Sequence, residues 1–123
     1  MRILIATHRP ADFAAFIAAL KTDGVETTLA PTGQAALEQA TTQPPALLVA
    51  DDTLSDIGPF VLVTRLMEAN AAILTAVITD LSPEDFHEAG EGLGILLALP
   101  RHPGATNARE LLAALRPLAT HMS

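Results

Sequence analysis

Five short apolar runs, with helical patterns between them, constrain this chain more than any other feature. The runs are RILIA (2–6), VETTLA (25–30), ALLVA (46–50), AAILTAVIT (71–79) and GILLAL (94–99). Four are nearly continuous in apolar side chains, as expected of parallel strands covered by helices on both faces. The second alternates, with Val25 and Leu29 set against Glu26 and Thr28, which suits the edge of a sheet. Strict alternation of strand and helix predicts an open parallel α/β sheet built from right-handed crossovers.

The segments between the runs carry helix signals. In PADFAAFIAALK, Phe13, Phe16, Ile17 and Leu20 fall at i, i+3, i+4 and i+7 on one face. TGQAALEQA has Thr32 placed as an N-cap. SPEDFHEAG opens with Ser82 as cap and Pro83 at the first helical position, and Gly90 stops it. In NARELLAALRPL, Asn107 and Glu110 have capping-box spacing, Leu111, Leu115 and Leu118 share a face, and Pro117 weakens the end. PFVLVTRLMEAN holds Phe60, Val61, Leu62, Val63, Leu66 and Met67, more apolar surface than one core face needs. That helix serves the core alone, or the core together with an interface. GEGLG (90–94) precedes a strand instead of opening a helix, so it lacks the mechanism of a phosphate loop and reads as a helix stop and turn.

The 123 residues fit one domain, predicted over 1–120, with 121–123 as a C-terminal tail. Seven basic against fourteen acidic side chains leave a net charge of −7, and the basic residues form no run. Binding to a phosphate backbone or an anionic membrane is therefore not expected. With no Trp or Tyr there is also no platform for stacking bases. The absence of cysteine excludes disulfides and thiolate chemistry. No apolar stretch approaches the ~18 residues of a membrane span, and the apolar run in MRILIATHRP is too short for a signal peptide. The expected location is the cytoplasm.

In open α/β sheets chemistry gathers where strands end. The strands here end at Thr7 and His8, at Asp51 and Asp52, at Thr79 and Asp80, and at Leu99 and Pro100, followed by Arg101 and His102. Asp51 is expected to face the Thr79 hydroxyl and a His or Thr of the first loop. Asp52 is expected as the exposed first residue of its loop. Alternatively, Asp52 and Asp56 satisfy N–H groups of loops and helix starts. His8 is either a solvated loop histidine, a partner of Asp51, or with His102 a ligand of a transition metal. Nothing resembles a Ser-His-Asp arrangement or a glycosidase carboxylate pair.

On these residues the chain resembles the receiver (CheY-like) domains of bacterial two-component response regulators, over essentially its whole length. RILIATHRPADF resembles the family's opening strand, which normally ends in an acidic pair followed closely by proline. LLVADDTLSDIG resembles the phosphoacceptor strand and loop, AVIT the strand ending in the switch hydroxyl, and GILLALP the last strand, normally ending in Lys-Pro. The resemblance implies a flavodoxin-like (βα)5 doubly wound sandwich with a five-stranded parallel sheet in the order 2-1-3-4-5. It places Asp51 at the phosphoacceptor and Thr79 at the switch, and it implies a metal held by Asp51 and the Thr53 backbone carbonyl. Counting back from Gly58 points at Ala50 instead, so Asp51 goes with a one-residue deletion in the loop.

The departures from that pattern matter more. The acidic pair is replaced by Thr7 and His8, or by Ala6 and Thr7 under a one-residue shift. The lysine position is Leu99, and the chain's one lysine, Lys21, follows the first helix. Arg9 or Arg101 could stand in for it, though a longer planar guanidinium is not a conservative exchange. Strand five offers Ile95, Leu96 and Leu97 in place of the usual aromatic. The expected function is thus an atypical, pseudo-receiver domain without enzyme activity, acting in phosphorelay signalling through protein–protein interaction. No cofactor is expected, and Mg²⁺ only if the phosphoacceptor site works. The implied partners are a histidine kinase or a downstream signalling protein, with a homodimer possible through the family's helix-four, strand-five, helix-five surface; no nucleic acid and no membrane are expected. The sequence holds no helix-turn-helix after the last helix, so output is expected through another protein or through a further portion of a longer chain. One alternative is a receiver phosphorylated at Asp51 with Asp52 or Asp80 helping to hold the metal. Another is a flavodoxin-like protein that binds a small ligand in the same crevice.

Overall fold

The computed structural model describes the backbone of residues 1–122 and the side chains of 1–118. Ser123 and the side chains of 119–122 lie outside the described residues, so the expected tail is described only by the backbone of 121 and 122. The strands are β1 (Arg2–Ala6), β2 (Glu26–Ala30), β3 (Leu47–Ala50), β4 (Leu74–Ile78) and β5 (Leu97–Leu99). The helices are α1 (Ala14–Thr22), α2 (Gly33–Thr42), α3 (Pro59–Ala69), α4 (Pro83–Ala89) and α5 (Ala105–Met122), with a 3-10 turn at Pro10–Phe13. All strands pair in parallel, in the order β2-β1-β3-β4-β5, which is the expected fold class. Register sets Ala6 opposite both Ala30 and Ala50, and Ala50 opposite Val77. The residues after β1, β3 and β4 therefore open on one edge.

Successive strand residues point to opposite faces, so the sheet feeds two cores. On one face, Ile3, Ile5, Leu47, Val49 and Ile78 pack against Phe13, Phe16 and Leu20 and against Leu111 and Leu115 of α5. On the other, Leu4, Ala6, Leu48 and Ala50 meet Ala36 and Ala40 of α2 and Leu62 and Leu66 of α3. Thr32 accepts the Ala35 N–H at 3.0 Å and Ser82 the Asp85 N–H at 3.2 Å, so both expected caps form.

Several local expectations need correction. β4 and β5 are shorter than their apolar runs; Gly92 and Gly94 take φ values of 80° and 64°, which keeps the stretch before β5 in turns. Leu29 is 44% exposed, because edge strand β2 lies at the margin of the covering helices. Asn107 does not cap α5: the helix starts earlier, and Asn107 accepts the Gly104 N–H at 2.9 Å from its third position. Pro117 lies inside α5, where it removes one backbone donor, and the helix continues to Met122. Leu118, beyond it, is half-exposed. In α3, Leu62, Val63 and Leu66 are buried while Val61 and Met67 stay open to solvent. The surplus apolar residues of that helix lie outside the core.

Candidate functional site

The backbone N–H of Asp51 bonds to the Ala6 carbonyl at 3.1 Å, extending the β1–β3 ladder by one step. The sheet thereby draws this aspartate inward, and its side chain has no exposure to solvent. A buried charge is tolerated only when paired and hydrogen-bonded, and the Asp51 carboxylate has five donors. Oδ2 accepts the Thr7 hydroxyl at 2.6 Å, the Thr53 hydroxyl at 2.9 Å and Arg9 Nε at 2.9 Å. Oδ1 accepts Arg9 Nη2 at 3.0 Å and the Thr53 N–H at 3.3 Å. Arg9 grips both oxygens in a planar fork, the strong bidentate form of this contact.

Local sequence explains why Arg9 arrives there. Thr7 accepts the Arg9 backbone N–H at 3.1 Å, and Pro10 begins a tight 3-10 turn. That turn brings Asp12 to 3.3 Å from Arg9 Nη1 and places the guanidinium carbon 5.3 Å from the centre of the Phe13 ring. Burial pushes the Asp51 carboxyl up, but the hydrogen bonds from Arg9, Thr7 and Thr53 outweigh it and hold the group below the ordinary carboxylate range. The same bond to Asp51 raises Arg9 above its ordinary value.

The other predicted residues divide into those that join this cluster and those that do not. Thr7 joins it. His8 does not pair with Asp51: its Nδ1 lies 3.3 Å from the Thr53 hydroxyl, and the residue is exposed. Thr79 does not face Asp51 through its hydroxyl, which instead accepts the Leu81 N–H two residues on, at 3.1 Å. Thr53, expected to lend a carbonyl to a metal, turns its hydroxyl and N–H onto Asp51. Asp52 is not exposed: its side chain is 12% accessible and accepts Arg101 Nε at 3.0 Å. Arg101 also reaches Asp80 at 3.4 Å and so straps three loops together. Asp56 accepts the Gly33 and Gln34 N–H groups at 3.0 and 2.9 Å, which ties the β3–α3 loop to the start of α2. Those two backbone bonds hold its carboxyl below the usual range. Leu99 is fully packed into the core, so no cation comes from the lysine position.

Sequence reasoning named Arg9 only as one stand-in for a missing lysine. The signal that would have singled it out is a base directly after Thr7 and His8 and directly before Pro10, beside the one strand-end carboxylate expected to be buried. The donor set does not fit Mg²⁺, which needs near-octahedral oxygen ligands and anionic charge. Asp51 is the one buried carboxylate of the cluster, both its oxygens already accept hydrogen bonds, and a guanidinium shared with the exposed Asp12 lies across them. No group of three His, Cys, Asp or Glu side chains placed to hold a metal occurs among the described residues.

No protein-family model matches the chain, and no curated protein matches it. Solved structures do. A CheY-like response regulator receiver domain protein from Methanospirillum hungatei JF-1 is 16% identical, with a TM-score of 0.83 over 98% of this chain and 97% of that one. The receiver domain of the Francisella response regulator 1452 is 20% identical, with a TM-score of 0.82 over 99% and 98% of the two chains. The Vibrio cholerae chemotaxis protein CheY4 is 17% identical, with a TM-score of 0.80 over 93% and 97%. At these identities the likeness is one of fold: the chain folds as CheY-like receiver domains do. No helix among the described residues is long and apolar enough to cross a membrane.

Proposed function

We propose that this domain is an atypical receiver, a cytoplasmic signalling module that works through contacts with other proteins and without Mg²⁺-dependent phosphorylation of Asp51. One observation carries the reading: the Arg9 guanidinium clasps both oxygens of the buried Asp51 carboxylate, at 2.9 and 3.0 Å. To take a phosphoryl group, a carboxylate oxygen must approach phosphorus while cations neutralise the incoming charge. Here the two oxygens already serve as hydrogen-bond acceptors, the cation is covalently part of the chain, and the lysine position holds Leu99. Neutralisation by a resident guanidinium leaves the site closed and independent of metal.

The Thr79 hydroxyl oxygen accepts the Leu81 N–H within its own loop, and no hydrogen bond links it to Asp51 among the described residues. A domain of this kind holds one conformation and offers a constant surface to a histidine kinase or a downstream signalling protein. Intact-mass measurement after incubation with acetyl phosphate and Mg²⁺ tests the proposal, with Asp51→Asn and Asp52→Asn as controls. The expected result is no phosphoryl adduct on folded protein. A single adduct that disappears only in Asp51→Asn would overturn it.

A further inference from the structure

α4 is the least anchored helix of the fold. None of its residues is buried, and Phe86 is its one half-buried side chain, tilted against Phe60 with ring centres 6.1 Å apart. Two hollows beside the turn that follows it share Gly92 and Gly94. One, of about 180 Å³, is walled by Val63, Met67 and Leu93. The other, of about 220 Å³, is walled by Phe86, Ile95, His87 and Glu91. Together they form a groove between the C-terminal half of α3 and the turn that leaves α4, apolar at the α3 end and carrying His87 and Glu91 at the other.

The charge around this groove is one-sided. Residues 66–100 hold Glu68, Asp80, Glu84, Asp85, Glu88 and Glu91 and no Lys or Arg. Asp80 is paired with Arg101, but Glu84, Asp85, Glu88 and Glu91 are exposed and in no ion pair among the described residues. The sole base of α3, Arg65, lies roughly 160° around the helix from both Val63 and Met67, on the far side from the groove.

Resting on the reading above that the domain works by contact, we infer that this groove is the docking site for a basic segment of a partner protein anchored by apolar side chains. The apolar walls supply burial for the anchors, and Glu91 in the wall, with the exposed acids of the neighbouring α4, supplies complementary charge. A second copy of this chain fits poorly, because it also carries −7 and its bases are scattered. An anionic membrane is repelled by the same acids.

A fluorescently labelled synthetic amphipathic peptide, with leucines on one face and Lys and Arg on the other, tests the inference by anisotropy against the full chain. The basic peptide is expected to bind, more weakly at high salt, while a Glu-bearing version with the same leucines does not. Met67→Glu is expected to weaken binding at least about tenfold although it adds an acid, and Glu91→Gln to weaken it severalfold. Leu29→Glu, on the distant edge strand, leaves binding unchanged. Amide shifts in the unsubstituted protein, expected to cluster at 63–67 and 86–95, give a reading that needs no variant to fold. Absence of binding, equal binding of the acidic peptide, unchanged or tighter binding by Met67→Glu, or shifts elsewhere would each overturn the inference. So would a dimer in sedimentation that Met67→Glu dissociates, since the occupant would then be a second copy. A phosphoryl adduct at Asp51 would overturn the pseudo-receiver reading without touching these isotherms, so the two failures are distinguishable.

Discussion

Replacing Arg9 by alanine strands the carboxylate of Asp51 in a place with no access to water. Breaking a buried ion pair by removing one partner costs about 3–5 kcal/mol. Asp51 keeps the Thr7 hydroxyl and both Thr53 donors, and Arg9 itself is 15% exposed, so the low end applies. A loss of about 3 kcal/mol is a large share of the ~5–15 kcal/mol that holds a domain together. With an m-value near ~2 kcal/mol/M, the urea midpoint falls by about 1.5 M. Far-UV circular dichroism is the assay to use, because the chain has no Trp or Tyr for fluorescence. The same substitution made on Asp51→Asn removes a partner from a neutral amide and costs under ~1 kcal/mol, leaving a coupling of about 2 kcal/mol. Two results would refute the view that Arg9 is the counterion of a buried charge. One is a loss of less than ~1 kcal/mol in Arg9→Ala; the other is the same loss whether or not the Asp51→Asn substitution is present.

Stability should fall with acid in a defined window. Asp51 has a folded-state value below its unfolded one, so its contribution is fully present above about pH 4 and is lost as pH falls from there through the lower folded value. The urea midpoint of Asp51→Asn should lose less on acidification than that of the unsubstituted protein; equal slopes would refute the assignment. Asp56 shifts in the same direction and supplies part of the remaining slope. Asp56→Ala removes two acceptors from the start of α2 while Thr32 keeps capping it, and should cost about 0.5–1 kcal/mol in urea unfolding after screening at this exposed site. Gly33→Ala would set its Cβ 2.4 Å from Ile57 Cγ1, an overlap expected to cost about 1–3 kcal/mol. Adding Ile57→Ala, which removes both overlapping carbons, should make the added methyl at 33 far less costly than it is beside Ile57 if the overlap is the cause.

Much of the architecture was legible because burial has a period. β1 and β3 read as continuous apolar runs, and Phe13, Phe16 and Leu20 read as one helical face; all three side chains are fully buried. Capping is local chemistry, so Thr32 and Ser82 were readable from a few residues. Leu29 and Leu118 misled for the same reason in reverse: an apolar side chain at the right spacing says nothing about whether a neighbouring element reaches far enough to cover it. Asn107 misled because a capping pair is symmetric in sequence spacing but not in where the helix begins.

By itself the sequence determined that the sheet is parallel and covered on both faces, and that Thr7, Asp51 and Thr79 meet at one edge, because residue periodicity and strand alternation are short-range properties. Only the tertiary structure decided which group neutralises Asp51. Arg9 and Asp51 lie 42 residues apart, and their pairing depends on the register of β1 against β3 and on the tight turn that Pro10 starts. Arg101, equally charged, is claimed by Asp52 and Asp80 instead. Likewise Thr79 reached the expected edge and then turned its hydroxyl back onto its own loop. Long-range ion pairs and side-chain rotamers are settled by packing and desolvation, which no spacing rule contains.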